Sequence, residues 1–147
     1  MRRALFCGFM GLVVVTACGP QSQSTSAHHA YVVVQHLNGS WLDRRVDFTG
    51  GEIDGVSAMN RSGLEFEAQS VSSGKVVCQV DNEPTTFTTC FPQNKPYWAL
   101  FVASGGKWSS ASSGVSDVRL RDGEAIGWHY VPAGDPSPSP SPMPPGT

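Results

Sequence analysis

Two segments, Ser72-Ser73-Gly74-Lys75 and Ser104-Gly105-Gly106-Lys107, carry the Ser-x-x-Lys spacing used in acyl-enzyme chemistry. That spacing works when the serine opens a helix, because the lysine one turn later then reaches the hydroxyl oxygen. Both copies here fall in Gly-containing links between strand-like runs, and the companion motifs are missing, so both read as turns. There is no Gly-x-Ser-x-Gly elbow, and no Gly-rich phosphate loop leads into a helix. His28, His29, His36 and His129 have no patterned Cys, Asp or Glu partner, and read as solvated or structural rather than as metal ligands. Glu65 and Glu67 share one strand face, which suits either an acid–base pair or two solvated acids. The solvated face is the commoner case. No catalytic residue, metal or cofactor is expected, and the chain does not read as an enzyme.

The beginning of the chain carries a different kind of chemistry. Arg2 and Arg3 are followed by an apolar run from Ala4 to Val15 and then by Val15-Thr16-Ala17-Cys18. A charged start, a short apolar stretch and small residues before a cut mark a secretory signal, and the run falls short of the roughly 20 residues that span a bilayer. With Cys18 directly after Ala17, the segment resembles a bacterial lipoprotein signal over residues 1–17. The Cys18 thiol would then carry the lipid, and the protein would sit on the extracytoplasmic face of the cell membrane. The alternative is an ordinary secretory signal beside an incidental cysteine. Loss of Arg2 and Arg3 with the signal takes the formal charge from −2 to −4. That balance, with scattered basic residues, argues against nucleic acid as a partner.

Residues 18–27 are small and polar and read as a flexible tether. Residues 135–147 contain Pro136-Ser137-Pro138-Ser139-Pro140-Ser141-Pro142, a Pro/Ser-rich tail that cannot fill a core and favours extended conformations. It reads as a spacer, a partner's ligand or an inert tail. Residues 28–134 show no composition break and form one domain. Within them Cys78 and Cys90 are the cysteines left after Cys18. Outside the cytoplasm such a pair is expected to be oxidised to a disulfide; free thiols or a metal pair are the alternatives.

Strand signals dominate this middle. Tyr31 to Leu37, the Asn38-Gly39 turn and Ser40 to Phe48 predict a hairpin. One short helix is expected near Asp54 to Ser62, stopped by Gly63. Further strands are expected over Leu64 to Val71, Lys75 to Val80, Thr85 to Phe91, Tyr97 to Ala103, Val115 to Arg121 and Ala125 to Val131. Tyr97 to Ala103 is apolar nearly throughout, which predicts burial on both faces. The expectation is a mostly β (α+β) fold: a single small antiparallel-sheet domain with one short helix, β-grasp-like, flanked by disordered termini. Among the aromatic residues, Trp108 stands apart, because it lies in a Gly- and Ser-rich run. A ring there either plugs an end of the fold or offers a stacking surface to a ligand.

From Cys78 onward a family pattern emerges. Tyr97-Trp98, Gly106-Lys107-Trp108, Gly114 and the run from Asp122 to Tyr130 resemble the C-terminal β domain of transcobalamin and gastric intrinsic factor. The same signature occurs in small bacterial surface proteins. Where the family has Asp-Gly-Asp, this chain ends the triplet with Glu124. The resemblance implies a ligand-facing module with Trp108, Tyr97, Trp98 and Trp128 as ligand-binding residues and a corrinoid as ligand. In the cobalamin carriers a separate helical barrel covers the other side of the corrin, and this sequence holds no such barrel. Two readings follow: a small-molecule binding lipoprotein near an uptake system, such as an envelope transporter, or a non-enzymatic module contacting another envelope protein or the cell wall.

Overall fold

A computed structural model describes residues 27–145 and 147. The signal segment, Cys18 and the tether up to residue 26 lie outside the described residues. β1 (Ala27–Gln35) and β2 (Trp41–Thr49) form the first hairpin, pairing from Ala27↔Thr49 to Gln35↔Trp41. Its turn is longer than the two-residue loop that Asn38-Gly39 suggests. His36 N–H donates to the Ser40 carbonyl and Gly39 N–H to the His36 carbonyl, with Gly39 alone at positive φ (83°). This is a three-residue loop that places glycine where the left-handed conformation falls. Asn38 Oδ1 accepts from Ser40 N–H at 2.8 Å and fixes the bend.

The chain then makes β3 (Ile53–Asp54) and the helix α1 (Gly55–Ser62). Asp54 caps the helix by accepting from Ser57 N–H at 2.9 Å, and Gly63 ends it in the left-handed region at φ 73°. β4 (Phe66–Val71) and β5 (Gly74–Val80) form a separate two-stranded sheet. β6 (Tyr97–Ser104) turns through Gly105-Gly106 into β7 (Lys107–Ser110). β8 (Arg119–Leu120) pairs with β3, and β9 (Ala125–Val131) completes the main sheet in the order β2-β1-β9-β6-β7. Of its four pairings three are antiparallel, and β1 and β9 run parallel. A hairpin, a crossing helix and a last strand returning parallel beside the first give the β-grasp arrangement.

Two expected strands are replaced. Residues 85–91 form an irregular loop tied by the Cys78–Cys90 disulfide. From Val115 to Arg121 only Arg119–Leu120 is a strand, because Gly114 and Val115 instead hydrogen-bond Ser73 and Lys75 near the start of β5. Apolar character alone does not say which neighbour offers a free edge, and here the edge of β5 was nearer.

The core lies on the inner face of the sheet, under α1 and the β4–β5 hairpin. Val32, Val34, Val46, Trp98, Ile126 and Trp128 meet Ala58 and Met59 from the helix and Val77 and Val80 from β5. Burying each large apolar side chain stabilises by about 1.5–3 kcal/mol. Trp128 Nε1–H points at Met59 Sδ, 3.2 Å away, so even its polar atom has a partner inside.

β6 and β9 are apolar on their outer face as well, where Ala99, Phe101, Ala103, Ala125 and Val131 are buried. Trp108 covers part of that face. The rest is covered by the Pro/Ser-rich segment itself. His129 Nδ1–H donates to the Ser139 carbonyl (2.7 Å), Ser141 Oγ–H donates to the Trp128 carbonyl (3.0 Å), and Met143 packs on Tyr31, Ala103 and Ala125. The tail lies along the domain because this second apolar face receives it, with Ser141 buried against the sheet.

Candidate functional site

A cleft opens where two strand edges share no ladder. β5 bonds β4 on one side, and β6 bonds β9 on one side and β7 on the other. β7 ends at Ser110, so the first half of β6 lies past its partner. The chain from Ala111 to Val115 crosses the gap. Ala111 N–H donates to the Leu100 carbonyl (2.9 Å), while Gly114 N–H and Val115 N–H donate to Ser73 and Lys75 carbonyls (both 2.7 Å). Gly114 is required at the crossing, since a Cβ there would stand 2.5 Å from the Lys75 carbonyl oxygen.

Beyond this crossing lies a cleft of about 340 Å³. Val77 and Trp98 face it from the two edges, with Leu100, Tyr97 and Trp128 behind. Phe91 stands at the mouth, 57% exposed, its ring 6.4 Å from that of Tyr97. Serines 110, 112 and 113 and Pro138 of the tail complete the rim. Among the described residues lining it, Lys75 is the one charged side chain. The volume lies at the small end of ligand sites, and an apolar wall with few polar groups is their usual make-up.

Three of the four expected ligand residues therefore come together: Tyr97, Trp98 and Trp128. Trp98 is held firmly, with its Nε1–H donating to the Glu83 carbonyl at 2.9 Å and its ring 4.8 Å from Tyr130. Trp108 is not among them. It sits on the outer face of the sheet over Gly127, because β7 turns its ring toward that face, and its Nε1 is buried without a hydrogen-bond partner among the described residues. The ring covers a face of the sheet, where the sequence suggested either a plug at one end of the fold or a ligand-stacking surface. Sequence reasoning missed Phe91 and Lys75. The Ser-rich run before Gly114 was a visible signal for the loop, whereas an aromatic following Cys90 carries no distinctive pattern.

The other polar clusters tie elements together. His36 Nδ1 lies 2.6 Å from Glu83 Oε2, and its Nε2 is 3.8 Å from Asp81. This links the first hairpin to the disulfide loop. His28 and His29 approach Asp122 at 3.7 and 3.2 Å. The Asp122 carboxyl is held below its ordinary range, first by the His29 N–H hydrogen bond. Burial, with the Glu83 charge nearby, raises the Tyr130 phenol. Among the described residues no group of three or more His, Cys, Asp or Glu is placed to hold a metal ion.

No family model matches the chain, and no curated protein matches it. Its fold is similar to that of a crystal structure from Ruminococcus gnavus described as a "putative metal binding protein". The two share 16% identity with a TM-score of 0.52 over 72% of this chain and 98% of that one. At that identity the likeness concerns the fold.

Proposed function

We propose that this protein is a lipid-anchored surface module that binds a small ligand in the cleft between β5 and β6. The observation that carries the reading is the cleft itself, with its wall of Tyr97, Trp98, Trp128 and Phe91. The resemblance of the region from Cys78 to Tyr130 to the cobalamin-carrier β domain supplies the ligand class, a corrinoid. Each good aromatic contact with a planar ligand adds about 1 kcal/mol beyond burial. A cleft of about 340 Å³ receives only one edge of a molecule that size, so affinity is weak, on the order of micromolar once association costs are met. An uptake transporter in the envelope is the partner that would complete such a half-site.

Calorimetric titration of the full chain with cobinamide and cobalamin tests the ligand. Measurable heat that falls in Tyr97→Ala, with the circular dichroism unchanged, is expected; no heat at high micromolar ligand contradicts the reading. The anchor is tested separately by Cys18→Ser, which should leave an unlipidated precursor. Normal processing of that variant, with native protein free in the medium, overturns the anchor.

A second reading, contact with another envelope protein, draws on the tip of the first hairpin, where Leu37 and Trp41 are 46% and 44% exposed. Trp41→Ala would then abolish co-purification of an envelope partner without touching the cleft.

A further inference from the structure

After β9 the chain reverses and runs back along the outer face of the sheet. The reversal uses Gly134 at φ 76°, and Ser137 N–H donates to Asp135 Oδ1 at 3.0 Å. Burial in the tail then recurs every third residue: Pro138 is half-buried, Ser141 and Pro144 are buried and, Met143 apart, the residues between them are exposed. A repeat of three is that of a polyproline II helix with one edge laid on a surface. The contacts keep the same order. Ser139 is held by His129, Ser141 by Trp128, and Met143 packs on the cluster that contains Ala125, so the tail runs antiparallel to β9. Polyproline II rises about 3.1 Å per residue and a strand about 3.3 Å, which keeps the two in step.

We infer that this outer face is a receptor for proline-rich segments, that the tail is its resident occupant, and that a proline-rich segment of a second protein chain displaces it. The face already holds a segment of this kind, so the fit is not in question. Polyproline II makes no internal hydrogen bonds and its prolines carry no N–H, so it is recognised by its carbonyls and its apolar edges. A receptor therefore needs donors and apolar surface. His129 supplies a donor, and Tyr31, Ala103 and Ala125 supply surface. Trp108 packs on the same cluster as Met143, and its Nε1–H is buried without an acceptor among the described residues. The tail leaves that donor unused. An occupant that presents a carbonyl to it would bind about tenfold better. The tail is also lightly held: no ladder joins it to the sheet, and among the described residues its hydrogen bonds to the strands are those of Ser139 and Ser141. Release would bare the apolar cluster beneath, which favours exchange of occupants over an empty face. No charged residue lies between Pro136 and Thr147, so the matching segment is uncharged and rich in proline and small residues.

The probe is a fluorescent peptide with the sequence of residues 136–145, titrated by polarisation into the full chain and into full-length Ser141→Glu. In that variant a carboxylate would face the Trp128 carbonyl and free the tail. The tethered tail competes at an effective concentration on the order of millimolar, so Ser141→Glu should bind the peptide about tenfold or more tightly than the unaltered chain. The Trp108 indole and His129 resonances should move in Ser141→Glu, and added peptide should return them toward their original positions. Adding His129→Ala to Ser141→Glu should weaken the peptide about two- to tenfold. A peptide with glutamate at the position of Ser141 should not bind. Equal affinity for the unaltered chain and Ser141→Glu overturns the shared site, and binding to neither overturns the receptor. Resonances unmoved both in Ser141→Glu and in a triple variant that adds Pro138→Asp and Pro144→Asp overturn the docking of the tail itself. Of these tail residues Pro138 alone also rims the cleft, so titration with cobinamide tests a different site.

Discussion

The indole of Trp108 occupies the space that a side chain at residue 127 would need: a Cβ on Gly127 would stand 2.7 Å from Trp108 Cη2 and 2.9 Å from Cζ3. Gly127 is thus the seat of the ring that closes the outer face of the sheet. Gly127→Ala should therefore destabilise by about 1–3 kcal/mol through overpacking, well beyond the effect of a methyl on an open strand. Trp108→Ala should also destabilise, by about 2–4 kcal/mol, by opening the apolar surface beneath. Urea unfolding of the two variants and the double mutant checks this. The double mutant should be less destabilised than the sum, since without the indole the alanine methyl has room. Strict additivity would contradict the contact.

The Cys78–Cys90 bond fastens the irregular loop to β5 across a sequence separation of 12. Closing a loop of that size stabilises by about 3 kcal/mol in the chain-entropy account. The double substitution to alanine should lower the free energy of unfolding by about that amount. Alkylation of the native protein before and after reduction, read by mass spectrometry, should show both thiols protected until reductant is added.

Asp54 holds the first turn of α1, and the Ser57 hydroxyl, then its N–H, keep its carboxyl below the ordinary value of 3.8. A depressed folded pKa means that the unfolded chain binds the proton more readily. The stabilisation is therefore complete above the unfolded value and is lost as pH falls through the folded one. Asp54→Asn keeps much of the cap and should flatten stability below about pH 4, whereas Asp54→Ala should cost about 1 kcal/mol at neutral pH. Urea midpoints measured from pH 2.5 to 7 separate the two.

The strongest local signals were legible in the sequence. Asp54 and Gly63 bracket the helix where capping chemistry puts them, and the apolar run from Tyr97 to Ala103 is buried on both faces as its composition requires. The parallel pairing of β1 with β9 is a matter of tertiary partnering between distant segments, which no local pattern encodes. The same holds for Val115, whose apolar character predicts a strand but whose partner is decided by the free edge at Lys75. The candidate site was legible in part. Tyr97, Trp98 and Trp128 lie on two adjacent strands in the register Trp98↔Tyr130 and Leu100↔Trp128, so proximity follows once the strands pair. Trp108 was assigned by the loop around it, and a loop does not reveal which face of the sheet its ring will meet. The tail's place was hidden for a related reason: polyproline composition describes the segment but not the apolar outer face waiting for it.

Amide chemical-shift mapping on the full chain with cobinamide tests the central claim most directly, because it reports where the ligand sits as well as whether it binds. Saturable shifts are expected in the backbone amides of Lys75 to Val77, Trp98 to Leu100 and Ser112 to Gly114, with the Trp108 indole and Gly127 unmoved. Shifts centred on Trp108 and the outer face, or none at any site at saturating ligand, would contradict it.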